Sequence, residues 1–135
     1  MMALTKVETN KSVDDVIETL KMNVKDFGFM VRNIFNIADE FESYGVNTDK
    51  NFKYYSIMIC NPSKAYSTIQ KNPLRGAVLF PPKQIVIFEE NGKTIISYMK
   101  LNPEQIKCSL PDDLQFQENL DKTGDKIIEL IKSLK

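Results

Sequence analysis

The run QIVIFEENGKTIISYMK, residues 84–100, decides how this chain folds. Two apolar stretches, Ile85–Phe88 and Thr94–Met99, flank Glu90-Asn91-Gly92-Lys93. Asn-Gly at the centre of a two-residue connection suits a type I′ turn, which needs positive φ at both positions. The segment therefore reads as an antiparallel hairpin. Working outward, YYSIMIC (54–60) is a dense run of aromatic and branched residues, expected as a central strand buried on both faces. Asn61 follows as a natural N-cap, with Pro62 at the first helical position, where its missing N–H costs nothing. A short helix over 63–71 shows its apolar side through Ala65, Tyr66 and Ile69, and Pro73 ends it. LRGAVLFPPK (74–83) is expected as a loop, with an X-Pro bond open to the cis form.

Further out, LTKVET alternates and makes residues 3–9 a first strand. Ser12 opens a helix whose apolar face runs through Val13, Val16, Ile17, Leu20, Val24 and Phe27, and Gly28 stops it. Phe29–Ile37 reads as a strand passing into a helical tail near Ala38–Tyr44, followed by the polar turn NTDKNFK. At the other end Asn102-Pro103 opens a short helix. Pro111-Asp112-Asp113 begins the last helical region, which turns Leu120, Ile127, Ile128, Ile131 and Leu134 inward. Strands outnumber crossovers, so the fold class is α+β: a mainly antiparallel sheet with helices packed on one face, a two-layer sandwich. Strands apolar on both sides need a second cover, and a homodimer formed sheet to sheet provides one.

With 135 residues, 42% of them apolar and 27% charged, the chain suits one domain with a real core. No run approaches the roughly 18–20 apolar residues needed to span a bilayer. The N-terminus lacks an apolar signal region, so a cytoplasmic location is expected. Eighteen basic residues balance eighteen acidic ones, which gives no electrostatic reason to expect nucleic acid or an anionic membrane as partner. There is no histidine, and the two cysteines, Cys60 and Cys108, lie far apart, so a four-ligand zinc site is not supplied by one chain. No P-loop, dinucleotide fingerprint or nucleophile elbow is present, and no cofactor is expected. Adjacent acidic pairs such as Asp14-Asp15 and Glu89-Glu90 point in different directions and make no paired-carboxylate site.

CNPSKAYSTIQKNPLRGAVLFPPKQIVIFEENGKTIISY resembles the signature of the DUF302 family, small prokaryotic domains of unassigned function. Asn61-Pro62 and Asn72-Pro73 match its two Asn-Pro elements. Phe80-Pro81-Pro82-Lys83 matches its Leu-Pro-x-Lys step into a strand, and Ser97-Tyr98 its last element. SVDDVIETLKMNVKDFGF is similar to the family's N-terminal helix ending in Gly-Phe. The likeness is strongest over residues 6–102 of a single domain spanning 1–135, whose 103–135 helical region is longer and more charged than the pattern. It implies a TBP-like α+β fold, often a homodimer, and no substrate. Cys60 stands where the family usually has glycine, so no thiol mechanism is implied.

Each candidate site has a plain alternative. Cys60 is either a thiolate favoured by the following helix start and Lys64, or a small buried strand end replacing glycine, and the second is preferred. Asn61, Ser63 and Lys64 offer a helix start and an ammonium to a small anion, and the resemblance implies that Arg75 and Lys83 lie near the same edge, since the family motif groups these segments; the alternative is a cap and turn. Lys83 would snorkel, pair with Glu89 or Glu90, or be shifted by burial. Tyr98 completes the candidate ligand-binding set, although it and Tyr66 are most simply core aromatics. The functional expectation is a homodimer, non-enzymatic, that binds a small anionic ligand or a protein partner. The alternative is a thiol-dependent enzyme or sulfur-carrier accessory using Cys60 with Lys64 or Lys83.

Overall fold

In chain order the elements are β1 (Ala3–Thr9), α1 (Val13–Asn23), a 3-10 turn (Val24–Phe27), β2 (Met30–Asn36), α2 (Ile37–Ser43), β3 (Tyr54–Cys60), α3 (Pro62–Lys71), α4 (Arg75–Leu79), β4 (Gln84–Glu90), β5 (Lys93–Lys100), α5 (Pro103–Ser109) and α6 (Leu114–Ser133). The computed structural model describes residues 3–79 and 83–135. The Phe80-Pro81-Pro82 part of the expected loop, with its X-Pro bonds, lies outside the described residues.

The hairpin forms as read. Asn91 and Gly92 sit at φ 53° and 77°, and β4 pairs with β5 from Glu90↔Lys93 to Ile85↔Tyr98. The five strands run in the order β1-β5-β4-β3-β2, every neighbour antiparallel. The fold is α+β, as the strand-rich pattern implied.

One face of the sheet carries the main core. Ile57, Ile59, Ile85, Ile87, Ile96 and Tyr98 are buried against Val16 and Leu20 of α1 and Ile127, Leu130 and Ile131 of α6. Alternation along each strand sends every second side chain there, and the 3–4 spacing of α1 and α6 meets it. Each fully buried Ile or Leu contributes about 1.5–3 kcal/mol relative to exposure. Lys100 fastens β5 to α6. Its stem runs so close to Gly124 that a Cβ there would sit 2.8 Å from Lys100 Cγ. Its ammonium lies 2.8 Å from Asp121 and 2.7 Å from Asp125.

A second cluster fills the end of the sheet where β3 and β5 stop. Cys60, Ala65, Leu79, Ile106, Phe116 and Leu120 are buried together there, under α3, α4 and α5.

Three details differ from the sequence reading. The stretch after Pro73 contains the short helix α4 rather than loop throughout. Tyr66 is 68% exposed and is not a core aromatic; α3 turns Ala65 inward instead. The two faces of β3 are unequally covered: Ile57 and Ile59 are buried beside a half-buried Tyr55, whereas Tyr54, Ser56 and Met58 on the other face are half-buried and only Cys60 at its end is buried. On that second face Ile95 and Ser97 of β5 are buried and Val86 and Phe88 half-buried, while Leu4, Phe35 and Met99 are exposed, and α2 packs at its β2–β3 corner. There Phe41, Phe52, Tyr54 and Phe88 stack in a row with successive centroids 6.4, 5.9 and 5.2 Å apart.

Candidate functional site

The α3 helix begins as its sequence dictates. Asn61 is extended, its Oδ1 accepts from Lys64 N at 3.1 Å, and Pro62 takes the first turn. Ala65 N donates to Asn61 O at 2.8 Å. Pro62 has no N–H, so two of the three donors in this first turn are already satisfied within the chain. Little is left for an anion at the helix end itself. Losing the cap in Asn61→Ala is expected to cost about 1 kcal/mol of stability, read by urea denaturation.

The chemistry lies along the helix flank. Lys64, Thr68 and Lys71, three and four residues apart, line one wall of a cavity of about 230 Å³. Asn119, Thr123 and Lys126 of α6 form the facing wall by the same spacing. Phe29, Leu79 and Phe116 give the cavity an apolar lining, and Lys83 reaches into it from the start of β4. Among the described residues five cations, Lys64, Lys71, Arg75, Lys83 and Lys126, and no Asp or Glu line this space in a chain of zero net charge.

Two of the five are unlike the others. Arg75 is committed: its Nε and Nη2 donate to the two oxygens of Asp113 at 2.6 and 2.7 Å, and Nη1 donates to Thr68 O at 3.1 Å. Its guanidinium also lies 5.4 Å from the Phe116 ring centroid. This fork ties α4 to α3 and to the cap of α6, and it raises the Arg75 pKa while holding the Asp113 carboxyl below its usual range.

Lys83 is the opposite case. It is 5% exposed, and among the described residues no carboxylate pairs with its ammonium. Glu89 and Glu90, its expected partners, are exposed at the far end of β4. Burial pushes the Lys83 pKa below the ordinary lysine value; nearby Cys60 opposes this shift and Lys64 adds to it.

Four of the sequence-derived candidates therefore converge on one cavity: Asn61, Lys64, Arg75 and Lys83. Ser63 is exposed and does not line it. Tyr98 lies behind Lys83, beside Lys100, Gly124 and Ile127, and its hydroxyl is pushed well up, mainly by burial and also by Asp125. Cys60 is buried in the second cluster, as the preferred reading had it, while Cys108 is exposed. Lys71, Asn119, Thr123 and Lys126 were not singled out from the sequence. Their signal was a polar stripe bordering the apolar face of each helix, but nothing in one dimension shows that the two stripes face each other.

DUF302, described as a domain of unknown function, matches residues 5–134. The chain belongs to the DUF302 family. The match runs beyond the motif-bearing 6–102 segment and includes α5 and α6, so both walls of the cavity lie within the family domain. This DUF302 domain is similar in fold to the crystal structure of an uncharacterized conserved DUF302 protein from Bacillus stearothermophilus. The two share 22% identity over 95% of this chain and 97% of that one, with a TM-score of 0.71. No curated protein matches the sequence. Among the described residues no cluster of Cys, Asp or Glu suits a metal ion, and no helix is long and apolar enough to cross a membrane.

Proposed function

We propose that this DUF302 domain binds a small anionic metabolite in the cavity between α3 and α6, as a cytoplasmic homodimer closed over the exposed sheet face. The observation that carries the binding reading is the lining itself, which has several ammonium groups and no carboxylate. A lysine that is 5% exposed and has no carboxylate partner among the described residues is costly to hold charged, and a bound anion would offset that cost. The cavity is smaller than the ~300–1,000 Å³ of drug-sized sites, which favours a compact guest.

Inorganic phosphate is expected to raise the melting temperature by several degrees, while chloride at equal ionic strength does not. Phosphate at tenfold its Kd adds about 1.4 kcal/mol. Binding should weaken as pH rises toward 10.5, because the Lys83 pKa is lowered and its charge is lost before that of an ordinary lysine. An unchanged melting temperature across phosphate, sulfate and citrate would reject the anion site.

Support for the second copy is the half-covered face. Phe35 and Met99 there are 46% and 41% exposed, and Asn33 Oδ1, on β2 opposite Met58, is buried with no hydrogen-bond partner among the described residues. Light scattering should give twice the 15.5 kDa chain mass, and Val86→Lys on this face should give the monomer. A stable wild-type monomer at micromolar concentration ends the dimer reading. The burial of Cys60 favours this reading over a thiol-dependent activity.

A further inference from the structure

Lys83 combines properties that simple charge pairing does not need. Its side chain is 5% exposed and opens on the cavity between α3 and α6. Ala65, Leu79, Phe116 and Leu120 share that lining with polar groups such as Asn61, Thr68 and Asn119. A second cation, Lys64, is near enough to act on it electrostatically, and no carboxylate among the described residues compensates. Desolvation and a neighbouring cation are two conditions that raise the free-amine share of a lysine and with it its reactivity as a nucleophile. The other cavity lysines, Lys64, Lys71 and Lys126, are exposed, and so are placed to hold an anionic group and not to react.

We propose that Lys83 is an amine nucleophile that condenses with the carbonyl carbon of a small anionic aldehyde or 2-oxo acid, holding it in the cavity as an imine. The inference rests on the anion-binding reading of the same cavity. The Lys83 nitrogen lone pair forms the new bond to the carbonyl carbon, and the C=O π pair moves to oxygen. Both amine hydrogens then leave with that oxygen as water, and the nitrogen completes the C=N bond. No oxidant or reductant is required. Burial lowers the Lys83 pKa and Lys64 lowers it further, which increases the share of the nucleophilic form near neutral pH; Cys60 acts in the other direction.

The test is to incubate the full chain with glyoxylate and sodium cyanoborohydride at neutral pH, then locate the reduced adduct by peptide mass spectrometry. The expected result is one adduct, on Lys83, formed at least about tenfold faster than on any other lysine, a rate difference of about 1.4 kcal/mol. Inorganic phosphate should suppress it by competition. Propanal, which carries no anionic group, should label Lys83 about tenfold more slowly. In Lys83→Arg the adduct should vanish, with circular dichroism showing that the chain is still folded. Adducts spread evenly over the lysines overturn the proposal, as does labelling that phosphate leaves unchanged or propanal labelling as fast as glyoxylate. If phosphate stabilises the protein but no Lys83 adduct forms, the nucleophile is refuted and the anion site stands; if neither occurs, both fall.

Discussion

Lys83→Met should fold more stably than the wild type and lose its response to phosphate. The substitution keeps an unbranched side chain of similar length while removing a charge that is 5% exposed and has no carboxylate partner among the described residues. Exchanges of buried ionic groups for apolar ones of similar volume gain about 1–4 kcal/mol, and the lower half of that range is expected here because the cavity supplies some water. The sign follows from linkage. The Lys83 pKa is lowered on folding, so below that lowered value both states are protonated and the native state bears the full desolvation cost. As pH rises toward the ordinary 10.5, the native amine loses its proton first and the cost is relieved. The advantage of Lys83→Met is thus largest near neutrality and shrinks in alkaline solution. Phosphate affinity should fall at least about tenfold. A variant that melts lower than wild type at neutral pH, with phosphate binding intact, would show that the lysine stem serves packing alone. A residue whose removal stabilises the fold and abolishes binding marks a position held for function.

Breaking the Arg75–Asp113 fork should have the opposite outcome. The two side chains are 12% and 16% exposed, and the guanidinium also supports Thr68 O and covers Phe116. Arg75→Leu leaves Asp113 partly buried beside an apolar group, and Asp113→Leu does the same to Arg75. Each is expected to cost about 3 kcal/mol, the low end for buried pairs, because both groups keep some contact with water. The double variant should cost about 1–3 kcal/mol less than the sum of the singles, since the second change removes the orphaned charge. The Asp113 pKa is lowered, above all by the Arg75 hydrogen bonds, so this stabilisation is complete above the unfolded value of 3.8 and fades as pH falls below it. Urea denaturation of wild type and double variant at pH 7 and in acid should show the gap closing. Single substitutions that cost under about 0.5 kcal/mol and add without coupling would demote the fork to a surface pair.

Much of the fold was legible because its signals are local. Asn91-Gly92 dictates a turn, Ser12 and Asn61 dictate caps, and the spacing of Val13, Val16, Ile17 and Leu20 defines a face. Each came out in place. The α4 helix escaped because five residues between Pro73 and a further proline pair carry no period; Arg75 is held there by partners 7 and 38 residues away. Tyr66 was misplaced because α3 is apolar on a narrow strip, which Ala65 fills, and the tyrosine falls just outside it. The site was half legible. Asn61, Lys64, Arg75 and Lys83 were grouped through motifs shared with a family, whereas Lys71 and Lys126 join them only once α3 and α6 face each other. The helix start that looked best suited to an anion turned out to satisfy most of its own donors. The buried lysine, marked in sequence only as the end of a proline-rich step, is the more informative group.

The placement of β1 has a consequence for the order of assembly. β2, β3, β4 and β5 follow one another through the sheet, but β1 pairs only with β5, joining Thr9 to Thr94 and Ala3 to Lys100. During synthesis β1 is therefore without its partner until roughly ninety further residues have been made. Contacts this distant in sequence form late, since the loop between them must be closed before any hydrogen bond rewards it. The growing chain can zip its meander early, yet its N-terminal strand stays a loose end until the hairpin that decides the fold has emerged.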